Sequence, residues 1–198
     1  SKPGVITKIG MGTYVDPLVS GGKVTSLTTQ DLVKRIEIED EEWLLYKKFP
    51  LNVVVIRATT ADEDGNLSVE EEAMLAEILP MAQAAKNSGG IVIAQVKYIA
   101  ERHSIHPKEV KVPGVLVDYI TVASAEDHKQ TITTTYNPGL AGNSRVPLSA
   151  LPPMPFSDRK VIARRAAMEL KANVMVNLGI GMPDGVRRKS FSLVYFND

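Results

Sequence analysis

At 198 residues, with 44% hydrophobic and 23% charged positions, the chain is long enough for one substantial domain or for one domain and part of another. Its 23 Lys and Arg balance its 23 Asp and Glu, so the basic surplus that displaces counterions from phosphates is missing and nucleic-acid binding is set aside. The absence of cysteine removes disulfide frameworks, thiolate nucleophiles and cysteine-ligated metal sites.

Residues 1–30 carry Gly10, Gly12, Pro17, Gly21 and Gly22 and read as irregular loop, closed by the polar turn Thr28-Thr29-Gln30-Asp31. So long an irregular opening points to elements that precede it. Short strands are expected at 35–39 and 43–46, joined as a hairpin by the acidic turn Asp40-Glu41-Glu42. Val53-Val54-Val55-Ile56-Arg57 is a β-branched run of the kind buried on both faces, and Asp62-Glu63-Asp64-Gly65-Asn66 is the turn that ends it. Ser68 and Glu71 form a capping box, which predicts a helix opening there. Apolar residues at 75, 78, 79, 82 and 85 keep helical spacing, and Asn87-Ser88-Gly89-Gly90 stops the helix. Ile91–Val96 is a second buried strand, so 53–96 reads as strand–helix–strand with the two strands parallel. Further strands are expected at 114–122 and 129–135.

A Pro-rich linker, 151–156, divides residues 1–150 from 157–198. Beyond it Ser157 caps a helix over 158–170, and Val174–Leu178 reads as a strand running into the turn Gly179-Ile180-Gly181-Met182-Pro183. A helix should start near Asp184, yet the tail 187–198, from Arg187-Arg188-Lys189 into Phe191–Phe196, has no amphipathic continuation. A divergent terminus or a shifted reading frame accounts for such an ending. No apolar run reaches membrane-spanning length and Ser1-Lys2-Pro3-Gly4 lacks a signal-like stretch, so no membrane association and a cytoplasmic location are expected.

Four stretches carry a family resemblance: Gly-Met-Gly-Thr-Tyr-Val-Asp-Pro at 10–17, Thr-Thr-Ala-Asp-Glu-Asp-Gly-Asn at 59–66, Ala-Ala-Lys-Asn-Ser-Gly-Gly at 84–90, and Asn-Leu-Gly-Ile-Gly-Met-Pro at 177–183. In order and spacing they resemble the family I coenzyme A transferases of the single-chain acetate/propionate type, over residues 4 to 186. The resemblance implies an α/β fold with mixed and parallel sheets flanked by helices, incomplete here. Residues 1–150 would be the latter part of the first half and 157–198 the opening of the second. It further implies exchange of coenzyme A between an acyl-CoA and a short-chain carboxylic acid. Coenzyme A would be a substrate, with no cofactor, no metal and a homo-oligomeric assembly. The family nucleophile is a glutamate in a Glu-Asn-Gly segment, which occurs nowhere in this sequence, so no catalytic residue is assigned and the chain alone is expected to be inactive.

Five residues are candidates for contact with the acyl-CoA. Gly179 and Gly181 lie on a turn where backbone can approach a ligand closely, or which is simply tight. Gly12 and Thr13 line an acyl pocket by resemblance, or belong to a turn fixed by Asp16-Pro17. Gln95, ending a buried strand, offers its amide to a cleft or satisfies a sheet edge. Two rival readings belong to other classes. One is a non-catalytic binding or scaffold fragment. The other is a calcium loop over 60–71, with Asp62, Asp64, Gly65 and Glu71 at loop positions 3, 5, 6 and 12. Thr60 in the first position, a preceding strand and the capping alternative for Glu71 weigh against calcium. His103 and His106 have no third ligand and precede Pro107, which breaks a helix, so they read as solvated loop.

Overall fold

The computed structural model describes residues 3–147, 150, 152–171 and 173–186. The chain divides into two compact units, Ser1–Ala141 and Gly142–Asp198. The tail 187–198 and Leu151 of the linker lie outside the described residues. No helix among the described residues is long and apolar enough to cross a membrane.

The first unit is α/β, with three three-stranded sheets. Strands β1 (Gly4–Thr7), β2 (Val33–Ile38) and β3 (Glu41–Lys47) form an antiparallel sheet in the order β1-β3-β2. The hairpin was legible, but its turn is Glu39-Asp40, with φ of 52° and 62°, rather than residues 40–42. Positive φ at both central positions is the twist-matched two-residue connection, and it leaves Glu41 and Glu42 free to join the ladder. β1 falls inside the stretch expected to be irregular; it finds its partner β3 some forty residues along, a pairing no local pattern announces.

Strand β4 (Val53–Arg57) is followed by the short strands β5 (Thr60–Asp62) and β6 (Leu67–Ser68), then helix α1 (Ile78–Asn87). Next come β7 (Ile91–Val96), β8 (Tyr98–Ala100) and β9 (Tyr119–Val122). β4, β7 and β9 make a parallel sheet, β7 in the centre, as the strand–helix–strand reading requires. The order of the remaining sheet is β6-β5-β8.

The expected helix start is wrong. Ser68 lies in the β6 ladder opposite Thr60, and its carbonyl accepts the Thr59 N–H at 2.9 Å, so it cannot cap. The chain then turns irregularly and α1 begins ten residues later. Its end is as expected: Gly90 N–H reaches Ala85 O at 2.8 Å and Gly89 N–H reaches Lys86 O at 3.1 Å, with Gly89 at φ +75°. That is the paired bonding of a left-handed helix stop. Of 114–122, only 119–122 is strand, preceded by a 3₁₀ turn at Gly114–Leu116. Residues 129–135 form bends closed by Thr131 N–H on Thr134 O, not a strand.

The core lies between α1 and one face of the parallel sheet. Ala82 and Ala85, fully buried, let the helix approach Val54, Ile56, Val92 and Ala94, while Leu67 and Val112 extend the cluster under the small sheet. The opposite sheet face is open: Val53 and Val55 are 54% and 63% exposed and Tyr119 60%. The expectation that 53–57 is buried on both sides therefore fails, because α1 covers one side only.

In the second unit α2 (Asp158–Ala167) starts at Ser157, whose Oγ accepts the Lys160 N–H at 3.3 Å. It stops three residues before the expected end, and Met168, Glu169 and Leu170 continue in tighter i→i−3 bonding. Ala163 and Ala167 pack with Val186, Leu170 and Leu178. Residues 174–178 form no strand or helix and pair with no strand among the described residues, and Met175 is fully exposed.

Candidate functional site

In open parallel sheets, ligands bind in the crevice beyond the carboxyl ends of the strands. The register sets Arg57 of β4, Gln95 of β7 and Thr121 of β9 side by side at that edge, on the open face. Polar groups gather around them. Past β4 the chain turns at Thr59, whose carbonyl accepts N–H bonds from Lys97 and Tyr98 at 2.9 and 3.1 Å and whose Oγ1 accepts the Glu71 N–H at 3.0 Å. This pins the acidic run Glu70-Glu71-Glu72 against the edge. Thr60 donates its hydroxyl to Glu70, and Glu71 Oε2 meets Lys97 Nζ at 2.6 Å. The Glu71 carboxylate raises the Lys97 ammonium above its ordinary range against the opposing pull of burial. Lys97 also lies over the rings of Tyr98 and Tyr136, at 5.2 and 5.7 Å.

Glu72 uses both carboxylate oxygens: Oε2 is 3.0 Å from Arg57 Nε, and Oε1 is 3.0 Å from His128 Nε2. The Arg57 Nε–H does not point at its carboxylate partner, so that contact is an ion pair without a well-aligned hydrogen bond. His128 is 2% exposed, and Gln95 Nε2 lies 3.4 Å from its Nδ1 and 3.3 Å from Asp127 O. Gln130 closes the loop by donating to Glu71 O at 2.7 Å and accepting the Asn137 N–H at 2.8 Å.

Gly12 and Thr13, in the same unit, share no hydrogen bond with this edge. Gly12 and Thr13 occupy the loop between β1 and β2. Gly12 N–H donates to Asp16 Oδ2 at 2.7 Å, and Thr13 Oγ1 donates to Gly10 O at 2.7 Å. Asp16, fully buried, also takes Arg35 Nη2 at 2.8 Å, Arg35 Nε at 3.0 Å and the Leu18 N–H at 3.0 Å. No hydrogen bond joins Gln95 to Gly12 or Thr13. Gly179 and Gly181 belong to the second unit; Gly181, at φ +103°, accepts a hydrogen bond from Arg159 at its carbonyl. A cleft beside the β1–β2 loop is lined by Lys23, Asp31 and Arg35, but Asp31 neutralises Lys23 and Asp16 neutralises Arg35.

The calcium-loop reading is overturned. Within 60–71, Thr60–Asp62 and Leu67–Ser68 are short strands around a tight turn. Asp62 Oδ1 accepts the N–H groups of Asp64 and Asn66, and Oδ2 accepts Asn66 Nδ2 at 2.9 Å. Burial alone would raise the Asp62 carboxyl, but these bonds outweigh it and hold it below its ordinary range. Asp64 pairs with Arg102 at 3.1 Å, and Glu71 is turned to Lys97. Among the described residues no group of three acidic or histidine side chains is arranged to hold a metal ion.

The sequence profile of the family described as Coenzyme A transferase matches residues 1–123. The chain belongs to that family. It is 54% identical over 186 residues to the caffeate CoA-transferase of Acetobacterium woodii, covering 93% of this chain and 36% of the relative. It is 38% identical over 188 residues to the acetate CoA-transferase YdiF of Escherichia coli K12, covering 93% and 35%. The crystal structure of the acyl-CoA transferase YdiF apoenzyme from E. coli O157:H7 superposes with a TM-score of 0.81, at 38% identity and the same coverage, 93% of this chain and 35% of that one. The mixed and parallel α/β architecture is thus the family's, and the chain spans about a third of the length of these relatives. Sequence reasoning missed Arg57, Glu72, Lys97 and His128. The usable signal was that Arg57 and Gln95 end strands already expected to be parallel, so their neighbours had to converge on one edge.

Proposed function

We propose that the chain is part of an acyl-CoA:carboxylate coenzyme A transferase acting on short-chain acids such as acetate, propionate or acetoacetate. The observation that carries this is its identity with two named CoA-transferases across 93% of its length. In such an exchange a carboxylate attacks the thioester carbonyl and expels the coenzyme A thiolate, leaving an acyl anhydride. The thiolate then attacks the enzyme carboxyl, releasing the acid and forming an enzyme thioester, and a second acid reverses both steps. Preorganised donors stabilise each tetrahedral oxyanion, and excluded water spares the intermediates.

Because no Glu-Asn-Gly segment occurs among the 198 residues, we assign the nucleophile to a part of the enzyme other than these residues. This chain contributes acyl-CoA contacts at Gln95, Gly12, Thr13, Gly179 and Gly181, in a cytoplasmic homo-oligomer without a separate cofactor. Incubation with acetyl-CoA followed by intact-mass measurement should leave the chain unmodified; a covalent coenzyme A adduct on any of its carboxylates overturns the assignment. Coenzyme A should bind the chain in calorimetry and Gln95→Leu should weaken it several-fold. Absence of binding by the folded chain removes the contact role.

A second reading concerns the acid alone. Identity of 54% to a caffeate enzyme against 38% to an acetate enzyme favours an aromatic propenoate over acetate. A greater rise in melting temperature with caffeoyl-CoA than with acetyl-CoA supports it, and the reverse order restores the short-chain assignment.

A further inference from the structure

The side-chain series Arg57–Glu72–His128–Gln95 spans the carboxyl edge of the parallel sheet, and its chemistry has a direction. A carboxylate accepts and cannot donate, so the 3.0 Å contact between Glu72 Oε1 and His128 Nε2 requires a proton on that nitrogen. In a neutral imidazole the other nitrogen, Nδ1, is then a bare acceptor. Gln95 Nε2 faces that Nδ1 at 3.4 Å and the Asp127 carbonyl oxygen at 3.3 Å. Both contacts are long, but two acceptors confront one end of the amide. Only the NH₂ end can answer both; a carbonyl there would meet two lone pairs. Water is a poor substitute, with His128 at 2% exposure and the Glu72 side chain at 11%. Glu72 is itself held by Arg57 on its second oxygen, and Arg57 Nη2 reaches His128 O at 3.4 Å.

We infer that Glu72 and His128 are positioning residues for Gln95. They select the His128 Nε2–H tautomer, and through it they turn the Gln95 amide so that its N–H groups face the protein and its carbonyl oxygen is left to a ligand. Among the described residues that oxygen accepts no hydrogen bond. The edge of β7 thereby offers an acceptor, suited to an N–H donor and unsuited to a bare carboxylate. In naming the donor as an amide of the pantetheine arm, the inference rests on the coenzyme A reading; the relay itself does not.

Long-range ¹H–¹⁵N NMR of the uniformly labelled chain at neutral pH tests it. The expected spectrum shows His128 as the Nε2–H tautomer and the two Gln95 amide protons well separated and protected from exchange. Glu72→Gln should shift His128 towards a tautomer mixture. His128→Leu should move the Gln95 amide pair to solvent-like positions, and His128→Asn, which keeps an acceptor, should restore much of the separation. An Nδ1–H tautomer in the wild type, or a Gln95 amide pair unmoved in a Glu72→Gln chain that keeps its backbone spectrum, overturns the inference. The wild-type measurement stands even if the leucine variant does not fold. No substrate is involved, so failure here is separate from failure of the transferase reading, which coenzyme A calorimetry addresses.

Discussion

Asp16 organises a loop through one carboxylate. Its two oxygens take two guanidinium contacts and two backbone N–H groups, joining the Gly12 and Leu18 amides to Arg35 on β2. The Arg35 guanidinium, helped by those amides, holds the Asp16 carboxyl far below the usual carboxylate range. The sign follows from linkage. A carboxyl depressed in the folded state contributes stability that is fully present above its unfolded value of about 3.9 and is lost as pH falls towards the folded value. Asp16→Asn should lower the melting temperature by several degrees at neutral pH and flatten its decline below about pH 4; an unchanged acid limb in thermal melts would remove Asp16 as its source. In the sequence Asp16 was visible only as a turn former before Pro17. Its partner lies nineteen positions away on another strand, and an ion pair at that range leaves no local pattern. His128 was missed for the same reason: a lone histidine in a polar stretch looks solvated until Glu72, fifty-six positions earlier, is brought against it.

Elements were legible where local chemistry decides them and misread where a ladder competes. The stop of α1 needed only Gly89-Gly90, and the two glycines should fail differently. At Gly89 a Cβ meets open space but φ is +75°, so Gly89→Ala should cost about 1–2 kcal/mol of left-handed strain. At Gly90 a Cβ would lie 2.1 Å from Leu51 O, backbone that cannot step aside, so Gly90→Ala should cost more. Urea midpoints rank the pair, and equal costs would contradict the steric argument. The start of α1 was misread because Ser68 and Glu71 suit a capping box, yet Ser68 is held in β6 and Glu71 by Lys97. The strand that won this competition is anchored by Leu67, fully buried beneath Val112 and Ala61. Leu67→Ala should therefore destabilise the first unit by about 2–5 kcal/mol in urea titration. A cost well under that would mean the small sheet is not part of the cooperative core.

For the molecule as a whole, family and fold class were legible from four short motifs taken together, while the exposure of its sheet was not. A run of β-branched residues suits a strand covered on two sides as well as one covered on one side, and only the position of α1 distinguishes them. The uncovered rows are Val53–Ile91 and Val55–Ile93–Tyr119, an apolar strip that water contacts in this chain. Sedimentation should show concentration-dependent self-association that Val55→Glu suppresses without lowering the melting temperature; association that persists in the variant places the contact elsewhere. The parallel pairing also sets a schedule. The antiparallel sheet is complete once residue 47 has been made, and its hairpin closes locally. The central sheet lacks its third strand until residue 122 has left the ribosome. At about 5–20 residues per second, translation leaves β7 waiting about 1–5 seconds for β9, long after hairpins form. During that interval the nascent chain presents the unpaired edge of β7 at Ile93–Val96, which β9 later takes up, and that is when a chaperone would find it.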